Sequence, residues 1–481
     1  MGIIARQSIQ NTLSTYAGFV VGAVNTLFLY THFLTPEYYG LVGFLLSASV
    51  VLMPLMAFGI HNTLIKFYHS YEDETQRNRF LTWVLLLPLF VIIPLGFVGC
   101  WFQEAIIGFL SNENYLAPRY IWYIYLVAGF MAYFEIFYSW VRVHMRSVFG
   151  NFMKEVFYRI AITIFLFGVY FEIMSVETFI LSIVVVYALR MFIMLVYALK
   201  VYTPKFSFGF PNSYKKILQY SSLIVIAGSI SIILLDIDKV MIGKYLALEN
   251  VAFYNVAIFI ATVIVVPTRS MSQITAPITA RLINEKQWTE LEFLYKKTSL
   301  TLLIISGWIF LLIISNINQL YLLIDPVYSA GLFVVLLISL VKLFENMLGN
   351  NAAIITNSEY YIWLVILGVF LAVLTIGLNI WLIPKYGING AAIATFCSLF
   401  LYNVLKIILV YKKHRIQPFG IASLKVLLLI GVLATSYWFD FGFHPMLNIL
   451  LKTIILTLTY FTVIHVTRLS EDISGLFNKR V

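Results

Sequence analysis

The 481-residue chain is 61% hydrophobic and 11% charged, with a mean hydropathy of +0.91. Soluble domains carry about 25% charged residues, so this much apolar surface excludes an ordinary soluble protein and requires lipid as solvent. Cys100 and Cys397 both lie in apolar runs, without CxxC or Cys/His clusters, which argues against a disulfide framework or a zinc site. The net charge of +10 is scattered, which suits loop topology better than nucleic-acid binding.

A spanning helix needs about 20 mostly apolar residues. The stretch after Arg6 is too long for a secretory h-region and reads as an uncleaved first span. Hydropathy then predicts about fourteen spans, near 10–34, 41–66, 80–101, 118–141, 156–172, 176–200, 219–245, 252–281, 298–316, 328–350, 361–382, 386–411, 423–440 and 446–468. With both termini inside, the cytoplasmic side collects Lys66, Arg77, Arg79, Arg142, Arg146, Lys154, Lys200, Lys205, Lys215, Lys216, Lys286, Lys296, Lys297, Lys412, Lys413, Arg415, Arg468, Lys479 and Arg480. The outer side keeps only Arg119, Lys244, Lys385 and Lys452. No loop is long enough for a soluble domain, and QWTELEFLYKK, within 282–297, reads as a short amphipathic cytoplasmic helix.

The segment from residue 33, FLTPEYYGLVGFLLS, and that from residue 245, YLALENVAFYNVAIF, share a pattern. Each has a helix end, a short acidic turn, tyrosine, and a long helix with a mid-span proline (Pro54, Pro267) and a terminal cation (Lys66, Arg281). FEIFYSW, with Glu135, weakly echoes FENMLGN, with Glu345. Two parallel lobes of about six helices each follow, at 1–218 and 219–418, with two further spans in 419–481. Such an arrangement predicts a central cavity and alternating access.

Charges inside a bilayer are costly and should face protein or water. Asp236 and Lys239 sit three apart near mid-depth of the seventh span and can pair on one face, while Asp238 points elsewhere. Arg269 follows Pro267, and its planar fork suits phosphate; its alternative role is as a partner for Asp236 or Asp238. Lys342 and Glu345 are again three apart, above Asn346, Asn350 and Asn351, which either bind sugar hydroxyls or tie helices together. His61, Lys66, Glu135, Arg142, His144, Arg146, Arg159, Arg190 and Arg281 are read as lying at inner helix ends, where most set topology or snorkel. Some of these, with Lys66, Arg142 and Arg281 as candidates, would form a vestibule capturing an anionic headgroup. Asp236, Asp238, Glu345 and His61 are candidates for ion coupling. The chain carries no GxxxxGK[ST], HExxH or GxSxG motif and no loop suited to catalysis, so it reads as a carrier without enzymatic activity or cofactor.

Four segments carry a resemblance. LNIWLIPKYGINGAAIATFCS (378–398) resembles the span 11–12 signature of polysaccharide flippases, and FLTPEYYGLVGFLLS (33–47) their first loop. LDIDKVMIGKYLALENVAFYNVA (235–257) resembles their span 7–8 junction, and TNSEYYIWL (356–364) their polar loop before span 11. On these grounds the chain is similar to the oligosaccharide flippases, including the Wzx type that moves O-antigen units, of the multidrug/oligosaccharidyl-lipid/polysaccharide exporter superfamily. The resemblance implies a two-lobed, all-α membrane fold in a bacterial inner membrane. It implies that undecaprenyl-diphosphate-linked oligosaccharide is flipped to the outer leaflet, with polymerase and glycosyltransferases as working partners. It also implies cations for the diphosphate, here Arg269 and Lys239, with Lys342 third; spans one and two offer no mid-span arginine. A multidrug or organic-cation antiporter of the same superfamily is the alternative, which those three cations oppose.

Overall fold

The computed structural model describes residues 3–110 and 116–470, excluding the side chains at 3–6, 8, 109, 110, 117 and 226–235. The expected cytoplasmic cations Lys479 and Arg480 lie outside the described residues. Every regular element among the described residues is helical. Eleven helical stretches are long and apolar enough to cross a membrane, against about fourteen expected. That count takes Ile362–His414 as one helix, although its backbone turns at Gly387. It leaves out the 13-residue helix Tyr158–Tyr170, as well as Tyr214–Tyr245, whose middle side chains are not described. The stretch around 288–297 is helical as expected, but it is the first part of the 37-residue helix Trp288–Ile324. Nothing in Lys296–Lys297–Thr298 breaks the helix, so amphipathic start and apolar span run on together.

Local chemistry sets the boundaries. Thr35 accepts from the Tyr38 amide and Pro36 opens helix Pro36–Met56; Asp73 and Ser175 cap Glu74–Leu86 and Val176–Val201 in the same way. Gly59, at φ +64, separates Pro36–Met56 from Ile60–Phe67. Pro267 stands in the first turn of Val266–Asn284, after a tight turn at Val263–Val265.

The chain divides into two compact units, Met1–Asn255 and Val256–Val481. In the first, Pro36–Met56, Ile121–Val143, Val176–Val201 and Tyr214–Tyr245 pack side by side. Phe80, Phe134, Trp140 and Met194 are buried in its core. Gly40 lies against the Leu248 backbone and Gly243 against the Phe44 ring, so absent side chains allow close helix approach.

In the second unit, Trp288–Ile324 is the central post. Val266–Asn284, Leu332–Met347, Ile421–Ala434 and Pro445–Val466 pack around it. Gly307 on the post admits Ile430 and Tyr460 from the last two helices. Lys452, expected on the outer side, is buried here and donates to the Ser315 carbonyl at 3.0 Å. Large apolar side chains such as Phe90, Phe97, Leu428 and Val432 stay exposed, as a lipid-facing surface requires.

Candidate functional site

In the first unit, helix Tyr214–Tyr245 lines up Asp236 and Lys239 one turn apart. Lys239 donates to Asp236 Oδ1 at 3.0 Å, and the Ser47 hydroxyl donates to the same oxygen at 2.8 Å. The predicted pair therefore exists and is tied to Pro36–Met56. Asp238 faces elsewhere, as its spacing requires. It is buried and accepts from the Tyr254 hydroxyl at 2.7 Å.

The same unit holds a second polar group that sequence reasoning placed at helix ends. Arg190 stands about midway along Val176–Val201 and is 6% exposed. Its guanidinium lies 4.0 Å from the Phe134 ring centre, 4.9 Å from Tyr187 and 5.6 Å from Tyr158. An aromatic face attracts a desolvated cation, so the rings replace the water that Arg190 gives up. Arg159 also lies midway along a continuous helical run, 147–170, bonded to the Glu155 carboxylate at 3.1 Å and packed over Tyr158. Gly22 leaves space for it, since a Cβ there would lie 3.0 Å from Arg159 Nε. Glu135 pairs with Lys154 at 2.7 Å and is electrostatically coupled to His61 and Arg190. The His61 Nδ1 atom is buried without a hydrogen-bond partner among the described residues. Composition and spacing showed these residues but not their depth, because a helix ladder gives no absolute height until its caps are fixed.

In the second unit, Lys342 donates to Glu345 at 2.9 Å. The pairing was legible from the spacing; the second lysine was not. Lys406, 6% exposed on the far arm of Ile362–His414, is also coupled to Glu345, and its ammonium lies 4.6 Å from the Tyr402 ring centre. Two ammonium groups thus bear on one carboxylate. In the sequence, Lys406 falls inside the predicted span 386–411, with no acidic residue three or four positions away to mark a partner.

Asn346 is 1% exposed and makes three bonds. It donates to the Ile264 carbonyl and the Ser306 hydroxyl, both at 2.6 Å, and accepts from Thr268 at 2.7 Å. Asn350 bonds Thr279 and Thr298, and Asn351 bonds Tyr295 at 2.5 Å. These asparagines are occupied in joining helices.

The remaining candidates are exposed cations. Arg269 lies in the first turn of Val266–Asn284 and has no side-chain partner among the described residues. Arg281 is exposed in the last turn of the same helix. Lys66 is exposed with its ammonium 3.8 Å from the Tyr220 ring centre, and Arg142 is exposed 5.5 Å from Tyr138. The arrangement offers charges held by carboxylates or rings inside each unit and exposed cations on their surfaces. Free guanidinium groups are suited to planar, bidentate phosphate contacts.

Comparison with solved structures places this fold. The lipid II flippase MurJ in an inward closed conformation superposes with a TM-score of 0.73 at 14% identity, over 96% of this chain and 100% of that one. The inward-facing conformation of a multidrug resistance MATE family transporter of the MOP superfamily gives 0.62 at 14% identity, over 90% and 99%. The MATE multidrug transporter DinF-BH in complex with R6G gives 0.56 at 15% identity, over 85% and 95%. At these identities the likeness is one of fold: the chain is an all-α, multi-pass membrane protein of the MurJ/MATE kind. No curated protein sequence matches significantly. The model of the family described as "Polysaccharide biosynthesis protein" matches residues 4–282, more than half of the chain, and the chain belongs to that family.

Proposed function

We propose that this protein is a flippase. It moves an undecaprenyl-diphosphate-linked oligosaccharide from the cytoplasmic to the outer leaflet of a bacterial inner membrane by alternating access. Its product feeds surface polysaccharide synthesis (O-antigen, capsule or exopolysaccharide), alongside glycosyltransferases and a polymerase. Both termini are cytoplasmic in this reading. Membership of a polysaccharide biosynthesis family and a fold like that of a lipid II flippase support it.

The observation that carries the reading is Arg269, an exposed arginine of the span candidate Glu249–Asn284, three residues past the apolar run that ends at Val266, with no internal partner among the described residues. A charge kept there without neutralisation is costly unless water or an anion meets it. A diphosphate is dianionic or more and matches the guanidinium fork. Lys239 and Lys342 are secondary contacts, because each already holds a carboxylate. Asp236, Asp238, Glu345 and His61 are the groups through which an ion gradient would act. Transport is driven by that gradient, the membrane potential or the substrate gradient. No enzymatic step is needed.

The test is complementation in a strain lacking the gene. Loss of the protein should leave lipid-linked repeat units facing the cytoplasm; unchanged lipid intermediates would defeat the proposal. Arg269→Ala should fail to complement, and Arg79→Ala should complement better; equal effects would remove Arg269 from the site. An ion-coupled multidrug antiporter is the second reading, favoured by the likeness to MATE transporters. Expulsion of organic cations by reconstituted protein, with normal lipid intermediates in the deleted strain, would establish it instead.

A further inference from the structure

The second arm of Ile362–His414, after the turn at Gly387, carries two polar side chains that the fold buries without satisfying. Asn403 is 1% exposed, and neither its amide oxygen nor its amide nitrogen has a hydrogen-bond partner among the described residues. Lys406 is 6% exposed and makes no hydrogen bond or ion pair among them either; its ammonium lies over the Tyr402 ring. Residues three apart share a helix face, and a helical side chain leans toward the N-terminus. The lysine stem therefore carries its ammonium back to the level of Tyr402 and Asn403. Buried polar groups are nearly always bonded, so two orphans on one face mark a place for a ligand.

Charge narrows the choice of ligand. The ionised groups that bear on Lys406 are Glu345 and Lys342. Both stand on Leu332–Met347, which packs against this arm where Phe344 meets Phe400. Lys342 already bonds Glu345 at 2.9 Å. Two ammonium groups and one carboxylate leave a single positive charge in excess, and it falls on Lys406. An uncompensated charge among apolar helices is costly. Water would satisfy the donors and leave the charge, whereas a monovalent anion meets both needs. With 36% of the Glu345 side chain accessible, the Lys342–Glu345 pair gives an ion a polar way in.

We infer that Lys406 and Asn403 form a binding site for a small monovalent anion of the chloride type. The ammonium and one amide N–H donate to the ion, and the ion neutralises the cluster of Lys342, Glu345 and Lys406. The bound ion fastens the second arm to Leu332–Met347. The site does not depend on which cargo the protein transports.

Equilibrium dialysis of the full-length protein in detergent against radioactive chloride tests this, with gluconate holding the ionic strength constant. The parent should bind a single chloride per chain, saturably, and bromide should compete better than inorganic phosphate. Lys406→Met should lose the binding and Asn403→Leu should weaken it several-fold. Lys413→Gln, at the exposed end of the same helix, should leave it unchanged. Glu345→Gln should tighten it several-fold, because it removes the charge that opposes the ion. Damage to the structure would weaken binding instead, so this variant keeps the test decisive if Lys406→Met does not fold.

No saturable binding by the parent, unchanged binding in Lys406→Met, or weaker binding in Glu345→Gln overturns the inference. So does competition by inorganic phosphate as effective as that by bromide. Displacement of chloride by undecaprenyl diphosphate would assign Lys406 to the transported cargo, and overturns it too.

Discussion

The two units solve the same problem, charge in an apolar helical layer, in different ways. The first surrounds cations with aromatic faces and local carboxylates: Arg190 among Phe134, Tyr158 and Tyr187, and Arg159 on Glu155 and Tyr158. The second shares one carboxylate, Glu345, between Lys342 and Lys406, and carries its helix junctions on asparagines. Rings hold a cation without accepting its protons, so they fix position weakly but tolerate sliding. A shared carboxylate is a choice between two partners, and a satisfied asparagine is a fixed joint. The first unit is therefore built to cushion its charges and the second to lock its helices around one exchangeable ion.

The sharpest way to break this comparison is Glu345→Ala. It strands the buried Lys406 ammonium and the partly buried Lys342 one and should destabilise the protein by about 3 kcal/mol, the low end for a broken buried pair, because 36% of the Glu345 side chain stays accessible. Thermal unfolding in detergent measures it, and the added change Lys342→Met should recover part of the loss. Next is Asn346→Leu, which removes three interhelical bonds at about 0.6 kcal/mol each in membrane proteins, so about 2 kcal/mol in all. A loss no larger than that of an exposed leucine substitution would contradict the fixed-joint reading.

Arg190→Met should then cost about 1–2 kcal/mol, since ring contacts to a desolvated cation are worth that much and methionine refills the volume. If Arg190→Met matched Glu345→Ala, the units would not differ in kind. The smallest effect concerns Asp440, in the loop before Pro445–Val466. The Gly442 amide, then the Asn448 and Gln319 side chains, hold its carboxylate below the usual range. A depressed acid stabilises the fold above its ordinary pKa of about 4. That stability is lost as pH falls through the lowered value. Asp440→Asn should therefore unfold at a lower temperature than the parent at pH 7, and the gap should close below about pH 4.

Much of this was legible in the residues. Long apolar runs gave the helical membrane class. The i, i+3 spacing gave Asp236–Lys239 and Lys342–Glu345, because helix geometry brings those positions together whatever surrounds them. Proline and glycine in IPKYGING marked the turn between the eleventh and twelfth expected spans. What stayed hidden depends on neighbours from distant chain. Asn346 reads the same whether it meets a sugar or Ser306. Lys406 lies within a predicted span without an acidic neighbour on its own helix, and only the fold sets Glu345 near it. Arg159 and Arg190 read as end residues because hydropathy alone does not show which rings will surround a cation. Arg269 is exposed in the first turn of Val266–Asn284, and its contact with a phosphate is a matter for the complementation test.

The turn at Gly387 has one further consequence. Its backbone, at φ +59 and ψ −140, suits only a residue without Cβ, and three residues on, Gly390 abuts the Leu382 carbonyl. The two arms of Ile362–His414 meet with no slack between them. A side chain added at either 387 or 390 would have to push the two arms apart, so this corner sets how closely they lie.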